Sequence, residues 1–155
     1  MPLDTGDQAP DFDLPGAGGG AVRLADLAGR KAVLYFYPKD DTSGCTLEAQ
    51  EFNTLREAFA AADTIVIGVS PDSVKSHDKF RAKYDLAFPL ASDETKAMLE
   101  AYGVWVEKSM YGRKYMGVER TTMLLDRTGG IVRIWRKVKV PGHAKEVLAA
   151  AQAQA

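Results

Sequence analysis

The sequence holds a single cysteine, Cys45, among its 155 residues. That excludes an intramolecular disulfide, a disulfide-built scaffold, a Cys-x-x-Cys redox pair and a multi-cysteine zinc site. Histidine is nearly as scarce, and His77 and His143 stand far apart in sequence. We read both as surface or local packing residues with no catalytic role, and expect no metal. Charge of one sign is also lacking: 20 basic side chains face 21 acidic ones, for a formal net charge of −1. Both signs are spread along the chain, which argues against a binder of nucleic acid or another polyanion. No apolar run reaches the roughly 20 residues that a membrane helix needs. Met1-Pro2-Leu3-Asp4 offers neither a basic flank nor an apolar stretch, so no signal peptide is expected. The expected compartment is the reducing cytoplasm.

What is present is ordinary for a globular protein: 46% hydrophobic and 26% charged residues. A single domain over 1–155 is expected, large enough to bury a real core. Residues 11–14 and 21–24 read as a short hairpin around Pro15-Gly16-Ala17-Gly18-Gly19-Gly20. No Gly-Lys-Ser/Thr follows those glycines, so they are a turn and no phosphate loop. Residues 24–27 make one helical turn, ended by Gly29. Residues 32–37 and 64–70 are continuous apolar runs, the mark of strands buried on both faces. Between them Phe52, Leu55 and Phe59 recur at helical spacing, which predicts a helix from about Cys45 to 60–63. Strand, helix and strand imply a right-handed parallel crossover.

Ser73 is placed to cap a further helix with Val74, Phe80 and Tyr84 on or near its inner face. Residues 88–90 are a short extended piece, and 95–102 a short helix closed by Gly103. The stretch 104–117 is long, aromatic and basic. Its Trp105, Tyr111 and neighbours either pack on the fold, frame a pocket or meet a partner. Residues 120–126 and 131–136 pair as antiparallel strands around a turn at 127–130. A final helix spans 144 to about 150, and the tail 151–155 is expected to fray. The pattern alone implies a three-layer α/β fold.

The lone cysteine sits where this order has chemical meaning. The strand 32–37 runs into Pro38, a polar loop of Lys39, Asp40 and Asp41 follows, and the helix starts near Cys45. We expect the loop charges to be solvated. A cysteine has a pKa of roughly 8.5, so a mostly ionised thiol at neutral pH needs ~2.7 kcal/mol of help. The helix dipole supplies about 0.3–1 kcal/mol. An arginine about 4 Å away adds up to ~4 kcal/mol at an effective dielectric of 20. Glu48 and Glu51 suit the positive helix end.

Pro38, Thr42 and Cys45 match the Pro-x-x-x-Thr-x-x-Cys motif of the peroxiredoxins. The longer string Phe36-Tyr37-Pro38-Lys39-Asp40-Asp41-Thr42-Ser43-Gly44-Cys45-Thr46, with Glu48-Ala49 after it, resembles the Q-type branch, the bacterioferritin co-migratory proteins. The likeness extends from Asp7-Gln8-Ala9-Pro10-Asp11-Phe12 to the last helix. It implies a thioredoxin-like fold, a central mixed sheet flanked by helices, with an N-terminal β-hairpin extension. It also implies a thiol-dependent peroxidase acting on hydrogen peroxide and organic hydroperoxides, with no cofactor. Arg120, opening Thr121-Thr122-Met123-Leu124-Leu125, resembles the segment that supplies the active-site arginine. By that resemblance Cys45 attacks the peroxide, Arg120 stabilises the charge, and the Thr42 hydroxyl bonds the peroxide or the sulfur. Pro38 shields the pocket, and the backbone N–H groups of Gly44 and Cys45 are further donors. Glu48 is either part of the arginine network or a surface carboxylate.

One position departs from the branch. Many members carry a resolving cysteine five residues after the first, and Gln50 stands there. The expected mechanism is therefore a one-cysteine cycle, with the sulfenic acid resolved by thioredoxin, glutathione or glutaredoxin. A monomer is expected, with a weak dimer as the alternative. A second reading is a thioredoxin-fold binding or holdase protein without turnover. The intact set of Pro38, Thr42, Cys45 and Arg120 argues against it.

Overall fold

The two long apolar runs form the middle of a sheet. In the computed structural model, which describes residues 3–155, β3 (Lys31–Phe36) is buried at all six positions. Met1 and Pro2, part of the stretch read above for a leader, lie outside the described residues. β4 (Thr64–Ser70) pairs with β3 in parallel, Ala32 opposite Ile65 and Phe36 opposite Val69. The full sheet is ordered β5 (Leu90–Ser92), β4, β3, β8 (Thr121–Leu125), β9 (Ile131–Trp135). β5 is parallel to β4, and β8 is antiparallel to both β3 and β9. This is the mixed sheet that a thioredoxin-like fold requires. β1 (Asp13–Pro15) and β2 (Ala21–Arg23) form the N-terminal hairpin.

Alternation along β3 divides the core in two. Val33 and Tyr35 face a layer built from Phe52, Phe59, Phe80 and Val147. Leu34 and Phe36 face the other, with Met98, Leu99 and Tyr102. A run that is apolar at every position thus has an apolar neighbour on either side. Gly68 in β4 is a matter of room, because a Cβ there would stand 2.9 Å from Tyr35 Cζ.

The helices are α1 (Ser43–Thr54), α2 (Arg56–Ala61), α3 (Val74–Tyr84), α4 (Ala97–Ala101) and α5 (His143–Ala153). α1 and α2 replace the one long helix expected from the Phe52, Leu55, Phe59 spacing. The break is at Leu55, whose N–H bonds to Phe52 O in place of the residue four back. Arg56 Nη1 takes up the nearby Asn53 carbonyl. Ser73 caps α3 as expected, its hydroxyl accepting from Ser76 N–H at 3.1 Å. α4 is shorter than the expected 95–102.

One stretch left open in the sequence takes a definite form, and one expectation is corrected. The stretch 104–117 is a hairpin of β6 (Trp105–Met110) and β7 (Arg113–Val118). Its turn, Tyr111-Gly112, has positive φ at both residues, the twist that suits a two-residue hairpin loop. Trp105 at the base packs on the core, whereas Tyr111 at the tip is 99% exposed. The tail does not fray at 151, because α5 continues to Ala153 with Ala151 fully buried. Lys31 is the reason: its ammonium donates to the carbonyls of Ala151 and Gln154, both at 2.7 Å.

Candidate active site

α1 begins at Thr42, an extended N-cap residue, and its inner face carries Cys45, Glu48, Ala49 and Phe52. That spacing of three, four and seven is one helical stripe. Cys45 is thus in the first turn and only 1% exposed. The Thr42 carbonyl accepts from Thr46 N–H, the first bond of the helix. The Thr42 side chain makes no capping bond. The N–H groups of Gly44 and Cys45 precede that first bond and have no partner within the helix.

β8 is far from α1 in sequence and lies beside β3 in the sheet. It pairs with β3, Thr121 opposite Phe36, so Arg120 arrives beside the end of β3 where the loop to α1 begins. Arg120 Nη2 donates to Cys45 Sγ at 3.2 Å, and Nη1 meets Glu48 Oε1 at 2.5 Å. The guanidinium lies against the helix start, 3.4 Å from where a Cβ on Gly44 would stand. Burial works against its charge. The Glu48 carboxylate and the Cys45 sulfur more than offset this and hold its pKa above the ordinary value.

Glu48 is 1% exposed, so the surface-carboxylate alternative fails and the arginine-network reading stands. Its Oε2 is buried with no hydrogen-bond partner among the described residues. Burial pushes the carboxyl up to about 7, with the pull of Arg120 acting the other way. Of the two partners expected for Thr42, the sulfur is not engaged. The Thr42 hydroxyl donates to Lys39 O at 2.9 Å and makes no bond to the sulfur. The oxygen keeps its lone pairs for an incoming donor. Pro38 is half-buried beside this loop, and Gln50 is exposed on the outer face of α1.

Three residues are more buried than the sequence reading held. Asp40, expected in solvent, is 7% exposed, while Lys39 and Asp41 are exposed as expected. His77 is fully buried and bonds to Asp40 Oδ2 through Nδ1 at 2.7 Å. His143 is 5% exposed, its Nε2 2.8 Å from Thr122 Oγ1 and its ring edge-on to Phe52 and Trp135. Burial pushes the His143 pKa down to about 4, so the ring is neutral at neutral pH. Local packing is the right half of the reading for both histidines, and the surface half is wrong. Asp40, Asp72 and His77 bring three ligand-type atoms within 4.8 Å of one another. Those atoms are already taken up by hydrogen bonds within the protein.

Known proteins share this arrangement's sequence and shape. A sequence model of the AhpC/TSA family matches residues 5–134. The chain belongs to that family. Its relatives carry the names of the Bcp branch of the peroxiredoxins. The chain is 52% identical over 149 residues to peroxiredoxin Bcp of Xanthomonas campestris, covering 95% of this chain and 93% of that one. It is 49% identical over 148 residues to a Coxiella burnetii protein named putative peroxiredoxin bcp, covering 96% and 98%. Among solved structures, the X. campestris bacterioferritin comigratory protein aligns with a TM-score of 0.88 at 50% identity, over 92% of this chain and 90% of that one. A cysteine-to-serine variant of PrxQ from Xylella fastidiosa aligns with a TM-score of 0.94 at 43% identity, over 99% and 98%.

As a peroxiredoxin the protein is an enzyme, a thiol peroxidase that takes a peroxide and a thiol reductant. Its single cysteine fits a one-cysteine cycle. No helix among the described residues is long and apolar enough to cross a membrane.

Proposed function

We propose that Cys45 is the peroxidatic nucleophile and that Arg120, Thr42, Pro38 and the N–H groups of Gly44 and Cys45 serve it. The observation that carries this is the guanidinium of Arg120, 3.2 Å from Sγ at the first turn of α1. In the first step the Cys45 sulfur attacks the terminal oxygen of ROOH. The S–O bond forms as the O–O bond breaks, and the alkoxide leaves with a proton as ROH. Negative charge grows on the leaving oxygen, and the half-buried guanidinium, with N–H groups beyond those given to Cys45 and Glu48, is preorganised to receive it. Thr42 Oγ1 accepts a hydrogen bond from the peroxide. Pro38, with no N–H to offer, helps to keep water from the sulfur. Glu48 fixes the guanidinium through its second nitrogen.

In the second step an external thiol attacks the Cys45 sulfenic acid, giving a mixed disulfide and water. A second thiol then releases Cys45 and leaves as the disulfide partner. Thioredoxin, glutathione and glutaredoxin are the candidate reductants. The X. campestris relative is described for alkyl peroxide reduction. We extend that to this protein, with hydrogen peroxide as a second substrate. We read the enzyme as a cytoplasmic monomer, since a lone free thiol suits a reducing compartment.

Peroxide consumption with dithiothreitol as reductant tests the reading. The wild type should turn over, and Cys45→Ser, close to isosteric, should fold and not turn over. Mass spectrometry after one equivalent of peroxide should find a sulfenic acid, and a mixed disulfide once a thiol is added. Equal consumption by both proteins, or full turnover with no added thiol, rejects it. Separate assays with thioredoxin and glutathione identify the reductant.

A further inference from the structure

The loop 38–42 joins β3 to α1 and so decides where Cys45 stands. Asp40 within it is the most bonded side chain near the site. Its Oδ1 accepts from the Tyr37 hydroxyl at 2.6 Å. Its Oδ2 accepts from the Ser76 hydroxyl at 2.8 Å and meets His77 Nδ1 at 2.7 Å. The Asp40 N–H donates to Asp72 Oδ2 at 2.8 Å, and the Ser70 hydroxyl donates to the same oxygen at 2.7 Å. On the far side of the imidazole, His77 Nε2 stands 3.0 Å from the Ala91 carbonyl. A carbonyl only accepts, so Nε2 carries a hydrogen. Nδ1, on the other side of the ring, faces Asp40 Oδ2. The pair therefore ties the loop to α3 and to β5 at once. In a buried network the loss of one member strands the others.

The cycle makes two opposite demands on this loop. Peroxide needs the first turn of α1 closed against Arg120. The external thiol needs a sulfur that is 1% exposed in the closed form. The first turn has to swing outward for that thiol to arrive, and Asp40 anchors the loop that leads into it.

We propose that the Asp40–His77 pair is a latch that keeps loop 38–42 closed for the peroxide step and sets how readily it opens for the external thiol. Both are positioning residues, acting on Cys45 through the loop. The inference rests on the one-cysteine reading above. Asp41 next door supplies a control. Its carboxylate meets Lys83 Nζ at 2.8 Å and the Tyr84 hydroxyl at 2.7 Å, both bonds lying at the surface. A surface contact of that kind holds little.

The test uses Asp40→Asn, Tyr37→Phe and the control Lys83→Met in the full chain. Tyr37→Phe removes one hydroxyl and covers the case in which Asp40→Asn does not fold. Hydrogen exchange of the amides of residues 39–46 should quicken at least about tenfold in Asp40→Asn and several-fold in Tyr37→Phe. In single turnovers, sulfenic acid formation by hydrogen peroxide should slow about tenfold in Asp40→Asn. Consumption of the preformed sulfenic acid by thionitrobenzoate should speed up several-fold. Lys83→Met should leave all three measurements unchanged. A purely structural role would lower both rates together. That result, or unchanged exchange in the folded variants, overturns the latch. If peroxide does not oxidise the wild type, the enzymatic reading fails, while the exchange measurement still decides the latch.

Discussion

Arg120 Nη2 lies 3.2 Å from Cys45 Sγ, although 75 residues separate the two along the chain. The same guanidinium holds Glu48, so removing it acts on chemistry and on stability together. Arg120→Met should slow oxidation of Cys45 by roughly 10²–10³-fold, the usual effect of losing one preorganised donor to developing charge. It should also cost roughly 3 kcal/mol at pH 8, because the buried Glu48 is left without the partner that offsets its burial. Single-turnover oxidation and urea unfolding check the two effects separately.

Glu48 makes stability depend on pH in an unusual direction. Burial raises its carboxyl from 4.5 to about 7. Between those values the folded protein keeps a proton that the unfolded chain has already released. This contribution is full below about 4.5 and is lost as pH rises towards 7, by about 3 kcal/mol in all. Glu48→Gln cannot titrate. The wild type should therefore lose stability relative to Glu48→Gln between pH 5 and pH 8, as measured by urea unfolding. A difference that stays constant with pH would count against the buried carboxyl.

His143 should act with the opposite sign. Burial, with a smaller push from Arg120, lowers its pKa from 6.5 to about 4 against the pull of Glu146. In that window the unfolded chain takes up a proton and the folded protein does not. The stability is present above about 6.5 and lost as pH falls to 4, by about 3 kcal/mol at most. His143→Gln should show a shallower acid transition than the wild type. Thermal melts at pH 7 and pH 4.5 provide the comparison.

The end of α5 depends on a residue more than a hundred positions away. Lys31 is 3% exposed and its ammonium serves the carbonyls of Ala151 and Gln154. Lys31→Met should leave those carbonyls unmatched and destabilise the protein by about 1–3 kcal/mol. Hydrogen exchange should quicken most at 148–154, which a uniform loss of stability would not produce.

The parts legible in the sequence were those that short-range chemistry controls. Apolar runs marked β3 and β4, Ser73 marked the cap of α3, and the polar loop before Cys45 marked a helix start. The extended match around Pro38, Thr42 and Cys45 pointed to the family, and through it to Arg120. Spacing by itself gave no reason to choose that arginine. The turn Tyr111-Gly112 escaped notice because tyrosine seldom takes a positive φ, and the usual Asn-Gly signal was absent.

The order of residues by itself determined that there is one thiol, no internal partner for it, and a helix N-terminus beside it. Which charged groups are buried was decided only when distant segments packed together. Asp40 and Asp41 are neighbours of the same type, yet one is enclosed by Tyr37, Ser76 and His77 and the other meets Lys83 in the open. Burial and charge pairing belong to the space between chain segments, and the single-residue spacing that predicts helices and strands carries no information about that space.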